Sequence, residues 1–207
     1  MTKKDLRIVF MGTPDFAVSA LCALAEEHNV LAVFTQPDKP KGRGYKLIPT
    51  PVKVAAQNAG IEVYQPLSLR KGEDAQSSLE VIKKINPDVI VVVAYGQILP
   101  EEILNIPRYG CINVHGSLLP KYRGAAPIHR CVENGDSVSG VTIMRMDQGM
   151  DSGDILMQCT TDILPDETAG SLHDRLSGLG ANLLIKCLPK WRSGLIKPIR
   201  QDIKEVT

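Results

Sequence analysis

The side chains best suited to chemistry begin at Asn113-Val114-His115, where an amide and an imidazole stand two residues apart. On a β-strand that spacing puts both on one face, with Ile112 and Val114 packed behind them. Gly116 closes the run, which sets the pair at a carboxyl edge, where open α/β sheets place their ligands. An asparagine amide can donate to a carbonyl oxygen as charge develops there, and a histidine exchanges protons near neutral pH. The same spacing also describes a hydrogen-bonded structural pair. A carboxylate able to join them, Asp151, lies in MDQGMDSGD (residues 146–154), a glycine-rich acidic loop between two apolar runs. Asp and Gly equally suit a plain turn. Brought beside His115, Asp151 would fix the ring's tautomer.

Metal chemistry has little support. The acidic loop lacks the Asp-x-Asp-x-Asp-Gly order of a calcium loop. The five cysteines (Cys22, Cys111, Cys131, Cys159 and Cys187) show no Cys-x-x-Cys or Cys/His ligand spacing. No zinc is expected, and reduced thiols in a cytoplasmic protein are the plain reading. Dinucleotide binding is disfavoured as well. The first strand–helix turn, GTPDFA (residues 12–17), has one glycine where G-x-G-x-x-G is wanted, and Asp15 would repel a phosphate. Residues 36–51, QPDKPKGRGYKLIPTP, form a long Pro- and Gly-rich loop holding Lys39, Lys41, Arg43 and Lys46 against a single acid, Asp38. A basic, flexible segment with one aromatic suits a phosphate backbone, though it also reads as a solvated mobile loop. Lys121 and Arg123 add a second small basic cluster soon after His115.

The elements that must position these groups alternate. LRIVFM (residues 6–11), VLAVFT (30–35) and DVIVVVA (88–94) read as strands buried on both faces, since their apolar runs are continuous. Between them lie helical patterns: a stripe of Phe16, Ala17, Ala20, Leu21 and Leu24 with Thr13 as its cap, a short helix over 52–59, and one over Leu79–Ile85 stopped before Pro87. This alternation predicts a mostly parallel sheet with helices on both faces. Residues 110–116 form a short strand, residues 140–146 and 154–163 a hairpin-type pair. A last helix from Thr168 carries Leu172, Leu176, Leu179 and Leu183, and Pro189 ends it. The polar tail after Gly194 reads as the start of a linker.

Composition sets the frame. The 207 residues, with 24 Lys+Arg against 23 Asp+Glu and a net charge of +1, are ordinary for one globular domain. Chains of this size bury roughly 70% of their unfolded surface and need no staple. The apolar run Val89–Ala94 is far short of the roughly 20 residues that span a bilayer, and the opening reads as no secretory leader. Near-neutral charge leaves nucleic-acid contact to a local patch.

Two stretches together, INVHGSLLPKYRGAAPI (residues 112–128) and GVTIMRMDQGMDSGDIL (140–156), resemble the signature of the folate-dependent formyltransferases. The opening RIVFMGTPDFA (7–17) and the loop PDKPKGRGYKLIPTPVK (37–53) are similar to the branch of that family acting on methionyl-tRNA. The resemblance covers essentially the whole chain. It implies a Rossmann-like α/β fold, 10-formyltetrahydrofolate as formyl donor and charged initiator tRNA as acceptor; no metal and no membrane are expected, and a cytoplasmic monomer is the default expectation. Asn113, His115 and Asp151 match the family's catalytic trio. Ser117, Leu118, Leu119 and Pro120, with Gln97, Ile98 and Leu99, match its folate-contacting stretches, and Lys39, Lys41, Arg43 and Lys46 its tRNA-contacting loop. It further implies that residues 1–207 are the catalytic domain, with about 195–207 leading towards a C-terminal domain. Formylation of glycinamide ribonucleotide or an amino-sugar nucleotide, and a noncatalytic folate- or RNA-binding role, stand as alternatives.

Overall fold

In the computed structural model the described residues are 6–41 and 46–207. They divide into two compact units, one reaching to Cys111 and one running from Ile112 to Thr207.

The first unit holds β1 (Arg7–Gly12), α1 (Val18–Glu27), β2 (Asn29–Phe34), β3 (Lys39–Lys41), β4 (Lys46–Ile48), α2 (Pro51–Asn58), β5 (Val63–Tyr64), α3 (Glu73–Ile85), β6 (Val89–Val93) and α4 (Glu101–Leu104). Its sheet runs β5-β2-β1-β6, and every one of these pairings is parallel. Ile8, Val9, Phe10 and Met11 are wholly buried, as are Val89, Ile90 and Val91, which is why these strands carry unbroken apolar runs. β1 lies between β2 and β6, so the chain leaves β1 on one side and returns on the other, making a topological switch point.

Two expectations fail in this unit. Thr13 does not cap α1: Pro14 precedes a 3₁₀ turn over Asp15–Ala17, and the Thr13 hydroxyl donates instead to the Tyr95 carbonyl at 2.9 Å. A long-range acceptor at the end of β6 outcompetes the local cap. The basic loop is not structureless either, since β3 pairs antiparallel with β4. Pro40 fits because the ribbon has only two strands, each an edge. Asp38 anchors its foot, accepting from Lys53 Nζ and from Gln65 Nε2, each at 2.6 Å. These bonds hold the Asp38 carboxyl below the usual carboxylate range, Lys53 contributing most.

The second unit holds β7 (Cys111–His115) from its second residue on, α5 (Pro127–Glu133), β8 (Val138–Arg145), β9 (Ile155–Asp162) and α6 (Ala169–Arg192). β8 runs antiparallel to both β7 and β9, the hairpin the sequence suggests. α6 starts at a capping box in which Thr168 and Ser171 satisfy each other's backbone N–H groups. It buries Leu172, Leu176, Leu183 and Leu184. Pro189 does not end it, because the helix continues to Arg192. Proline keeps a helical φ and forfeits one bond, and here the chain turns only at Gly194, at φ +71°. The segment beyond is docked: Ile199 exchanges both backbone hydrogen bonds with Ile155 at 2.8 Å. Among the described residues no helix is long and apolar enough to cross a membrane.

Candidate active site

β7 delivers Asn113 and His115 as its period of two requires. Asn113 is 8% exposed and His115 6%, while Val114 between them packs into the core. Asp151 arrives from the loop joining β8 to β9. Its Oδ1 accepts from Asn113 Nδ2 at 3.3 Å and its Oδ2 lies 3.7 Å from His115 Nδ1. The three residues separated by up to 38 positions therefore meet around one carboxylate.

The backbone around them fixes their roles. His115 Nε2 stands 2.8 Å from the carbonyl oxygen of Tyr122. A carbonyl only accepts, so Nε2 carries a hydrogen, and Nδ1 is the ring nitrogen that faces Asp151. Gly124 N–H donates to Asp151 Oδ2 at 2.8 Å. Asp151 itself sits at φ +48°, a left-handed conformation that Asp tolerates better than most residues. Thr142, wholly buried on β8, steadies the segment after β7. Its hydroxyl donates to the Ser117 carbonyl at 2.7 Å and accepts from Leu119 N and Gln158 Nε2.

A family model described as formyl transferase matches residues 6–188 of this chain. The chain belongs to the formyl transferase family. The methionyl-tRNA formyltransferase of Clostridium novyi (strain NT) is 56% identical to this family member over 197 residues, 95% of this chain and 63% of that protein. The chain thus spans under two thirds of that relative's length. Among solved structures, glycinamide ribonucleotide transformylase 1 from Symbiobacterium toebii superposes with a TM-score of 0.77 at 17% identity, over 96% of both chains. An N-formyltransferase from Helicobacter canadensis, in a complex with folinic acid and dTDP-3-aminofucose, gives 0.74 at 21% identity, covering 98% of this chain and 70% of that one. At such identities the likeness shows the fold alone, the α/β arrangement with a mostly parallel sheet read from the sequence.

The remaining candidates are distributed unevenly. Ser117 and Leu119 are buried, Ser117 donating to the Lys121 carbonyl at 2.7 Å and Leu119 packing with Met144 and Ile155. Leu118 and Pro120 keep part of their surface open. In the first unit Gln97 is committed to the chain at 66–69, accepting from Leu69 N at 2.8 Å and donating to the Pro66 carbonyl at 2.9 Å. Ile98 is 61% exposed and Leu99 buried. Lys39 is exposed on β3, and for Lys41 and Lys46 the backbone pairing alone is described. Arg43 lies outside the described residues.

Gly12 answers the dinucleotide question. A Cβ there would lie 2.7 Å from Phe10 Cε1, 2.9 Å from Ala17 Cβ and 3.0 Å from the Val93 carbonyl. The glycine serves strand–helix packing, with no phosphate needed to explain it. Among the described residues no group of three or more His, Cys, Asp or Glu is placed to hold a metal. What sequence reading missed is mainly backbone: the Tyr122 carbonyl and the Gly124 N–H have no side-chain signature, and the one available signal was Gly124 itself, a glycine at positive φ.

Proposed function

We propose that this chain transfers a formyl group from 10-formyltetrahydrofolate to the amino group of methionine esterified to initiator tRNA, in the cytoplasm. The observation that carries the reading is the single carboxylate of Asp151 oriented towards both Asn113 and His115. The name of the 56% identical relative supports methionyl-tRNA as acceptor, and the folinic acid in the Helicobacter canadensis complex supports a folate donor.

The folate, when bound, supplies a formyl carbon open to attack by an amine. Asn113 gives one N–H to Asp151 Oδ1 and keeps its second for the formyl oxygen as negative charge develops there. His115, already holding its Nε2 hydrogen against Tyr122, takes the proton of the attacking amine at Nδ1 and returns it to the departing nitrogen. Asp151 Oδ2 faces the charge that forms on the ring meanwhile. Each group is aligned before substrate arrives, which removes reorganisation from the barrier. In the second unit Leu118 and Pro120 offer apolar surface to the folate, with Ser117 and Leu119 shaping the backbone behind them. In the first, the Gln97–Leu99 stretch, with Ile98 exposed, is assigned to folate contact on the family resemblance alone. Lys39, exposed on β3, offers a cation to the tRNA backbone; Lys41, Arg43 and Lys46, in the same basic stretch of the sequence, are assigned to that contact on the family resemblance.

The test is incubation with 10-formyltetrahydrofolate and methionine-charged tRNA, followed by detection of formyl-methionine. Glycinamide ribonucleotide and an amino-sugar nucleotide serve as competing acceptors, and faster formylation of either would overturn the tRNA assignment. Neutralising Lys39 should raise KM for charged tRNA, most visibly at low salt, and make KM less steeply dependent on salt.

A further inference from the structure

We propose that Gln201, thirteen residues beyond the end of the family match at Leu188, is a positioning residue that holds Asp151 in register with Asn113 and His115. The inference rests on the proposed function for its kinetic consequence but not for its geometry. Gln201 is 5% exposed and makes four hydrogen bonds. Its Oε1 accepts from Arg123 Nε at 3.0 Å and Nη2 at 2.8 Å. Its Nε2 donates to the carbonyls of Asp151 at 2.8 Å and Gly153 at 2.7 Å. Guanidinium only donates and carbonyls only accept, so the amide has one possible orientation and every site on it is used.

The position of these partners matters more than their number. Arg123 stands between Tyr122, whose carbonyl holds His115, and Gly124, whose N–H holds Asp151 Oδ2. The Asp151 carbonyl that Gln201 grips belongs to a non-glycine residue at φ +48°, a conformation that persists where its surroundings over-determine it. One buried amide thus joins the loop that orients the imidazole to the loop that supplies the carboxylate. The antiparallel bridge of Ile199 to Ile155 delivers Gln201 to this place, two residues further along the chain.

The discriminating variant is Gln201→Glu, which keeps the chain length and the acceptor for Arg123 but offers no N–H to either carbonyl. Two readouts are needed on the 207-residue chain. The Gly124 amide resonance reports its bond to Asp151 Oδ2 without any turnover, and should move upfield. In formyl transfer, kcat should fall about tenfold or more while KM for the formyl donor stays within about twofold. An unmoved Gly124 resonance, with or without a change in kcat, overturns the proposal, as does an unchanged kcat. Should the wild-type chain transfer no formyl group, the proposed function fails while the Gly124 shift still decides the positioning role. If Gln201→Glu does not fold, Arg123→Ala leaves the amide unanchored and should move Gly124 in the same direction by less, and no movement refutes the idea.

Discussion

α6 carries two glycines whose replacement by alanine should act in opposite directions, and the difference links packing to the active site. At Gly178 a Cβ meets nothing within 4 Å. At Gly180 it would lie 2.9 Å from Val114 Cγ1 and 3.4 Å from Val141 Cγ1. Both changes gain about 1 kcal/mol of helix propensity. Only Gly180→Ala also overpacks, and valine is stiff at χ1, so the clash moves backbone and should cost about 2 kcal/mol. Gly178→Ala is therefore stabilising by about 1 kcal/mol and Gly180→Ala destabilising by about the same amount. For a chain of this size that separates their melting temperatures by about 4–8 °C. Denaturant titration of both variants, with unchanged m-values, measures it. Because Val114 sits between Asn113 and His115, Gly180→Ala should also lower kcat several-fold while Gly178→Ala leaves it alone. Equal stabilities, or Gly180→Ala the more stable, would refute the contact between α6 and β7 as the reason for the glycine.

Asn113→Ala, His115→Ala and Asp151→Asn should each lower kcat by about 10²–10³-fold with the fold retained by circular dichroism, and near wild-type rates for two of them would discard the trio. Asp38, held below the ordinary carboxylate range by Lys53 and Gln65, favours folding in its ionised form. Its contribution is complete above the unfolded value of about 3.9 and is lost as pH falls through the lower folded value. The stability gap between wild type and Asp38→Asn should narrow on acidification from pH 7 to about pH 3, and a constant gap in denaturation assays would contradict this. Burial pushes the Cys187 thiol up to about 12, whereas Cys22 is exposed. Iodoacetamide at pH 8 should modify Cys22 in the native protein and reach Cys187 only after unfolding, as peptide mapping would show.

The strands of the first unit were legible from sequence because a strand buried on both faces leaves a continuous apolar run, as in Val89–Val93 and Ile8–Met11. Asn113 and His115 were legible for a related reason: strand periodicity alone puts alternate residues on one side. Asp151 was a candidate from its acidic loop, but only the family resemblance set it apart from a turn aspartate. Local rules failed where a distant partner competed. Thr13 turned from its helix to the Tyr95 carbonyl, and the basic loop folded into a ribbon footed on Asp38, whose partners Lys53 and Gln65 lie 15 and 27 residues away.

Residue types and spacing thus determined which groups are available: an amide, an imidazole, a carboxylate and a set of cations. Tertiary structure alone decided how they are used. It assigned the His115 hydrogen to Nε2 through the Tyr122 carbonyl, held Asp151 at a positive φ through Gln201, and brought residues 113, 124 and 201 within hydrogen-bonding reach of residue 151. Hydrogen bonds act over about 3 Å in space and are indifferent to separation along the chain, so backbone donors and acceptors leave no trace in the order of the side chains.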